Sequence, residues 1–303
     1  MSKKSKILLA LLLVLVMVMT AACSGSDKDI TKPAEVSGDS SVTPSDVSGS
    51  EDSADAEITI AETVLYEADG VKVTATGYED GWMGPEVKVL VENNSSKNVL
   101  VTAESLSVNG YMMPFASLYA EVAAEKKANE RLSIMSSELE QSGIETIAQM
   151  QFRIKISDAE SWETLATSDL ITLNTSAAGF EQPVDDSGDV LYDANGIRIV
   201  CKGLKQDIIW DGNIVFFMEN HSGQPITVYA ENVSVNGFMQ DAGLWSSLRE
   251  DTRLIDSMSL LDLSDLDLES IDQIENIEFN LRIIHSDTWD EIVTTDVITL
   301  NFN

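Results

Sequence analysis

Residues 105–113 read SLSVNGYMM and residues 232–240 read NVSVNGFMQ. Asn-Gly between alternating runs is a strong short-range hairpin signal, because a type I′ turn needs positive φ at both central residues. Asn109-Gly110 and Asn236-Gly237 therefore predict two hairpins, with Val108 opposite Tyr111 and Val235 opposite Phe238. A phrase that meets a backbone requirement is a fold signature rather than a binding loop kept in two copies.

Its surroundings are duplicated too. VLYEADGVKV (64–73) matches VLYDANGIRI (190–199), and VENN (91–94) matches MENH (218–221). IAQMQFRIKI (147–156) matches IENIEFNLRI (274–283), and SWETLATSDLITLN matches TWDEIVTTDVITLN. The offset is 126 residues at first and 127 after the second strand. Self-similarity at one spacing means repeated units of one fold. The chain divides into repeats at 58–175 and 190–303, joined by a small, acidic linker at 176–189.

Within each repeat the hydrophobic period is 2. FRIKI and FNLRI place Arg153, Lys155 and Arg282 opposite the apolar positions. Turn signals recur at ADG and ANG, ENNSSKN and ENHSGQP, and the two Asn-Gly pairs. Short alternating strands between such turns predict an all-β chain of two tandem immunoglobulin-like antiparallel β-sandwiches, with seven or eight strands each. One short helix is expected per repeat. SSELEQSG (136–143) offers Ser136 as N-cap and Gly143 past the end, and LSDLDLESI starts the same way at Ser264.

The N-terminus predicts a compartment. Lys3, Lys4 and Lys6 precede an uncharged apolar stretch from Ile7 to Thr20. Its 14 residues are fewer than the roughly 20 that a membrane-spanning helix needs. They suit a signal peptide over 1–22 better than an anchor or a core helix. MTAAC (19–23) followed by SGS resembles the lipobox of bacterial lipoproteins, although Thr20 stands where Leu is commoner. That resemblance implies lipidation at Cys23 and a location on the extracytoplasmic face of the cell membrane. Residues 23–57 are rich in Ser, Asp, Gly and Pro and read as a disordered acidic tether. Such a tether reaches about 30–35 Å.

The formal net charge is −32, and no segment is basic, which argues against a nucleic-acid partner. There are two cysteines. With Cys23 lipidated, Cys201 has no disulfide partner and reads as a small buried hydrophobe.

GPEVKVLVENNSSKNVLVTAESLSVNGYMM (84–113) resembles an uncharacterised tandem domain of lipoproteins from clostridial-type bacteria. That family is grouped with immunoglobulin-like sandwiches. The resemblance spans roughly 60–303 and implies a fold and a location, with no catalytic residues.

No catalytic residues and no cofactor are expected. His221 and His285 have Asn94 and Asp158 as counterparts, and no G-x-S-x-G, H-E-x-x-H or phosphate loop occurs. Asp262, Asp265, Asp267, Glu269 and Asp272 invite calcium. However, leucines alternate with them and the first repeat lacks the acids, so no metal ligands are assigned. Trp162 and Trp289, at matched positions, read as packing elements. The candidate partner-binding residues are Trp82 and Trp210, in the loop between second and third strands, with Tyr119 and Trp245 in the divergent segment after the Asn-Gly turn. Phe115 and Leu244 add apolar surface to that segment. The expected role is a non-catalytic binding or spacing module at the envelope, held by its lipid and meeting a protein or glycan. The alternative is an accessory lipoprotein for a small ligand or calcium.

Overall fold

The computed structural model describes residues 57–206, 212–260, 266, 268 and 270–302. The first repeat runs β1 (Thr63–Ala68), β2 (Val71–Asp80), β3 (Pro85–Asn93), β4 (Val99–Val108), β5 (Tyr111–Met112), β6 (Tyr119–Val122), β7 (Lys126–Ser133), α1 (Ser136–Gln141), β8 (Gln149–Asp158), β9 (Thr164–Thr167) and β10 (Ile171–Asn174). The second runs β11 (Asp189–Ala194), β12 (Ile197–Lys205), β13 (Gly212–Asn220), β14 (Ile226–Val235), β15 (Phe238–Met239), β16 (Ala242–Gly243), β17 (Trp245–Leu248), β18 (Thr252–Leu260), β19 (Asn276–His285), β20 (Glu291–Thr294) and β21 (Ile298–Asn301). Beyond seven or eight main strands, short pieces such as β6 and β16 add edges that sequence alternation is too brief to show.

The Asn-Gly turns set the local geometry. Asn109 and Gly110 have φ of 50° and 85°, and Asn236 and Gly237 have 50° and 82°. Val108 pairs with Tyr111 and Val235 with Phe238, so each loop is two residues long. The asparagine side chains do more than permit the turn. Asn109 Oδ1 accepts the Ala148 and Gln149 N–H groups, and its Nδ2 donates to the Thr146 carbonyl. Asn236 does the same toward Glu275, Asn276 and Gln273. Each turn is thereby bonded to the chain that leads into the long strand β8 or β19.

In the first repeat, β1–β2–β3–β7 form one sheet, and β10–β8–β4 form the core of the other. The orders β2–β3–β7 and β10–β8–β4 match the A-B-E and G-F-C orders of an immunoglobulin-like sandwich, with β1 added outside A. The second repeat repeats this with β11–β12–β13–β18 against β21–β19–β14. Alternation fills each core. Met150, Phe152, Ile154 and Ile156 point inward from β8, as do Ile277, Phe279, Leu281 and Ile283 from β19.

One member of a matched pair of asparagines staples each sandwich. Asn93 Nδ2 donates to the carbonyls of Lys97, Val122 and Ala123, and its Oδ1 accepts from Ser95. Asn220 makes the same bonds to Gln224, Leu248, Arg249 and Ser222. Both are fully buried, so every bond replaces one to water that the fold removed.

The helical expectation needs correction. In α1 the N-cap is Met135, with no side-chain cap, not Ser136. Gly143 does lie past the end of the helix, with φ of 65°. Ser136 already lies inside the helix, with its N–H donating to the Met83 carbonyl, and Glu138 turns inward, where its Oε1 accepts the Phe115 N–H. The counterpart from Ser264 falls largely outside the described residues, and the next described element is a three-residue 3-10 turn, Ile271–Gln273.

The repeats are joined by more than the 176–189 segment. Tyr111 pairs in parallel with Arg253, and the Arg253 N–H donates to the Gly110 carbonyl at 2.8 Å. This merges the second sheet of one repeat with the first sheet of the next into one 11-stranded sheet. Val200 and Phe217 turn away from their own core and join that of the first repeat, while Met112 joins that of the second. Arg249 is buried at the same junction, where Nη2 donates to Ser107 Oγ and Gln151 Oε1. The linker is held on both sides, by Gln182 to the Gly143 carbonyl and by an Asp185–Lys202 ion pair at 2.7 Å.

Candidate functional site

The solvent-facing side of the β14–β17–β19 sheet carries a row of aromatic rings. Tyr229 on β14 pairs with Trp245 on β17, and their rings meet edge to face at 4.5 Å. Trp245 in turn meets Trp289 at 6.0 Å. β17 alternates outward and inward, which puts Trp245 and Ser247 outside and Ser246 and Leu248 inside. Packing among the rings satisfies only part of their surface, and 60% of Trp289 stays accessible.

Trp289 does not pack inside its sandwich, and neither does its counterpart Trp162, which is 64% exposed. The reason lies in the backbone. Both lie at positive φ, 64° and 63°, in a tight turn closed by bonds to His285 and Asp158. A bulky residue in the left-handed region costs on the order of 1–2 kcal/mol. An exposed tryptophan returns nothing to the core for that strain. The duplication of strain and exposure is therefore what singles out this surface.

Charge frames the rings. Arg282, opposite Tyr229 on β19, pairs with Glu231 and Glu291, both at 3.3 Å. In the first repeat Lys155, opposite Thr102, pairs with Glu104 at 2.9 Å. Tyr119 is exposed at the position matching Trp245, but Thr102 stands where the second repeat has Tyr229. The row is thus complete in the second repeat and reduced in the first.

Along β17, the face bearing Trp245 continues to Ser247, which lines a cleft of about 640 Å³ between the repeats. Its walls include Arg153, Asp169, Ser247, Arg249, Ser286 and Asp287. Thr227 Oγ1 lies 3.1 Å from Ser247 Oγ and 2.8 Å from Ser286 Oγ, giving a hydroxyl cluster that can donate and accept. Burial holds the Arg249 guanidinium below its ordinary pKa.

Of the residues singled out from sequence, Tyr119 and Trp245 fall on this surface or its counterpart. Trp82 is 92% exposed, in the loop between β2 and β3, and makes no ring contact with another described aromatic. Trp210 lies outside the described residues. Phe115 is exposed, but Leu244 is buried, because it alternates with Trp245. Asn109, Gly110, Asn236 and Gly237 form the two hairpin turns. Sequence reasoning did not mark Tyr229, Trp289 or Arg249 as site residues. Tyr229 could have been found, since the copies differ there as Tyr against Thr in an otherwise matched strand.

Cys201 is buried, and desolvation pushes its thiol up from its usual pKa. His221 sits in a turn with Nδ1 3.0 Å from Asp251 and Nε2 3.2 Å from Glu219; the Asp251 bond, then the Glu219 contact, raises its pKa. Among the described residues no group of three or more His, Cys, Asp or Glu side chains could hold a metal ion. Cys23, Asp262, Asp265, Asp267 and Glu269 lie outside the described residues. Among those described, no helix is long and apolar enough to cross a membrane.

No family model matches the chain, and no curated protein matches it. Solved structures similar to it include the YadV chaperone, at 11% identity and TM-score 0.22, over 72% of this chain and 92% of that one. They also include the Amycolatopsis orientalis exo-chitosanase CsxA, at 13% identity and TM-score 0.25, over 77% of this chain and 26% of that one. The red sea bream transglutaminase matches at 9% identity and TM-score 0.20, over 81% and 30%. Likeness this distant carries no argument about activity. The class that fold and surface define is a tandem β-sandwich protein with an exposed aromatic face.

Proposed function

We propose that this chain is a lipid-anchored, non-catalytic binding protein on the extracytoplasmic face of the cell membrane, and that the aromatic row of the second repeat meets a glycan of the envelope. The observation that carries the reading is the row itself, Tyr229, Trp245 and Trp289, kept exposed at the cost of a strained tryptophan backbone. Aromatic faces bind the apolar face of a sugar ring with little loss of side-chain freedom, because each ring has only two torsions to fix. Arg282, Glu231 and Glu291 supply hydrogen bonds for hydroxyl groups beside the rings. The cleft with Ser247 and Ser286 extends the polar surface, as suits an extended chain of sugars.

The test is direct. The chain without its first 23 residues, which leaves every described residue in place, is incubated with purified cell-wall polysaccharide, and bound protein and tryptophan fluorescence are read. Trp245→Ala and Trp289→Ala should each weaken binding by at least about tenfold, the loss of about 1.4 kcal/mol. Equal retention of wild type and both variants would remove the row from the site. Membrane attachment is tested separately. Cys23→Ser should shift the protein out of the detergent phase, and unchanged partitioning would exclude the lipid.

A further inference from the structure

The two Asn-Gly hairpins share backbone and register but not surroundings. In β5, Tyr111 is 2% exposed and Met112 8%. In β15, Phe238 is 62% exposed and Met239 67%. An aromatic-Met pair stands at both tips, and in one copy it lies open to solvent.

The structure records what such a tip packs against. β5 lies beside β18 and is bonded there through the Gly110 carbonyl and the Arg253 N–H. Around it, β12, β13 and β18 present an apolar outer face. Val200 and Phe217 are buried against the first repeat, and Val215 and Ile255 line one cavity with Tyr111. We propose that the Phe238–Met239 hairpin is a second docking element of this kind, and that its occupant is the A-B-E sheet of a third β-sandwich, on a different polypeptide, with apolar residues on that outer face and an open E-strand edge.

A second copy of this chain does not supply that surface. Its second repeat already holds its own Tyr111 there. On its first repeat, Thr74, Lys88, Leu90 and Asn129 stand where Val200, Val215, Phe217 and Ile255 stand on the second. That face is also laced with ion pairs, Lys88–Glu79 at 2.6 Å, Arg131–Glu86 at 2.7 Å and Lys127–Glu92. Covering those charges would forfeit their hydration without apolar gain. The first repeat therefore ends the array, and the second leaves it open to a partner.

This predicts a gain of function. Thr74→Val, Lys88→Val, Leu90→Phe and Asn129→Ile together give the first repeat the face of the second. Because a head-to-tail contact that does not close builds open chains, this variant should assemble, with a weight-average mass at least about twice that of wild type by sedimentation. Wild type should stay monomeric, and adding Phe238→Asp to the variant should restore the monomer. Where circular dichroism shows the fourfold variant unfolded, Lys88→Val/Asn129→Ile takes its place with the same readout. A folded variant that remains monomeric overturns the proposal, and so does assembly that survives Phe238→Asp.

Discussion

Phe216 and Phe217 are adjacent, both fully buried, and face opposite ways. Phe216 meets Phe279 edge to face at 6.0 Å inside the second sandwich. Phe217 belongs to the core cluster of the first repeat. Truncating either to alanine should cost about 3–5 kcal/mol, the range for a buried phenylalanine. The two losses should differ in kind. Phe216→Ala weakens one sandwich and leaves the junction intact. Phe217→Ala removes the largest apolar side chain that the second repeat sends into the first. With Val200, Val215, Ile255, Tyr111 and Met112, six side chains form the apolar part of the junction, each contributing at most about 1.5–3 kcal/mol, the figure for full burial. That figure is an upper bound, since the unfolded chain is itself partly compact. Loss of Phe217 therefore removes a substantial share of what couples the repeats. The assay is urea unfolding monitored by far-ultraviolet circular dichroism and tryptophan fluorescence. Phe216→Ala should lower the midpoint with the two probes moving together. Phe217→Ala should separate them into two transitions. One coincident transition in Phe217→Ala, with the slope of wild type, would refute the assignment of Phe217 to the junction.

Named contacts set the other expectations. Asn220→Ala takes the side-chain donor from the buried Leu248 carbonyl, while the Arg249 carbonyl keeps its bond from Thr252 Oγ1, and should cost about 1–3 kcal/mol, read as a fall in the urea midpoint; a change below about 0.5 kcal/mol would remove the staple. Gly237→Val forces a β-branched residue to φ near 82°, with no atom within 4 Å of the added Cβ, so it should cost only the turn strain of about 1–3 kcal/mol. Gly110→Val should cost more, because its carbonyl accepts the Arg253 N–H across the junction; equal effects at both glycines would mean the first hairpin does not join the repeats. His221 titrates above its ordinary pKa because its charged form is bonded to Asp251 and Glu219. Its stabilising contribution is full below the ordinary value and is lost as pH rises through the raised one. Thermal melts across that window should show the decline in wild type and not in His221→Asn, and an unchanged profile would assign the slope elsewhere.

Much of the fold is legible in the sequence because its requirements are local. A type I′ turn needs φ > 0 at two successive residues, and Asn-Gly meets that need wherever it occurs. A half-buried strand needs period 2, and FRIKI and FNLRI supply it. The site is less legible because exposure depends on what the rest of the chain covers. Trp162 and Trp289 read as packing elements by their matched positions, yet a positive-φ turn directs both outward. Trp82 and Trp210 read as partner-binding residues by loop position, yet the rings that meet on the described surface are Tyr229, Trp245 and Trp289, brought together from two strands and a turn 60 residues apart.

The sequence by itself therefore determined the duplication, the turns and the alternating strands, since neighbours within a few residues settle each of them. Tertiary structure decided which surfaces of the two copies were spent. In VKVLV at 87–91 the outward positions are Lys88 and Leu90, and that face carries ion pairs. In IVFFM at 214–218 both faces are apolar, which announces burial on two sides without naming what covers the second. Only the packing of the repeats answers that: the outer face of β13 takes the Tyr111 hairpin, and the same hairpin at Phe238 is left uncovered.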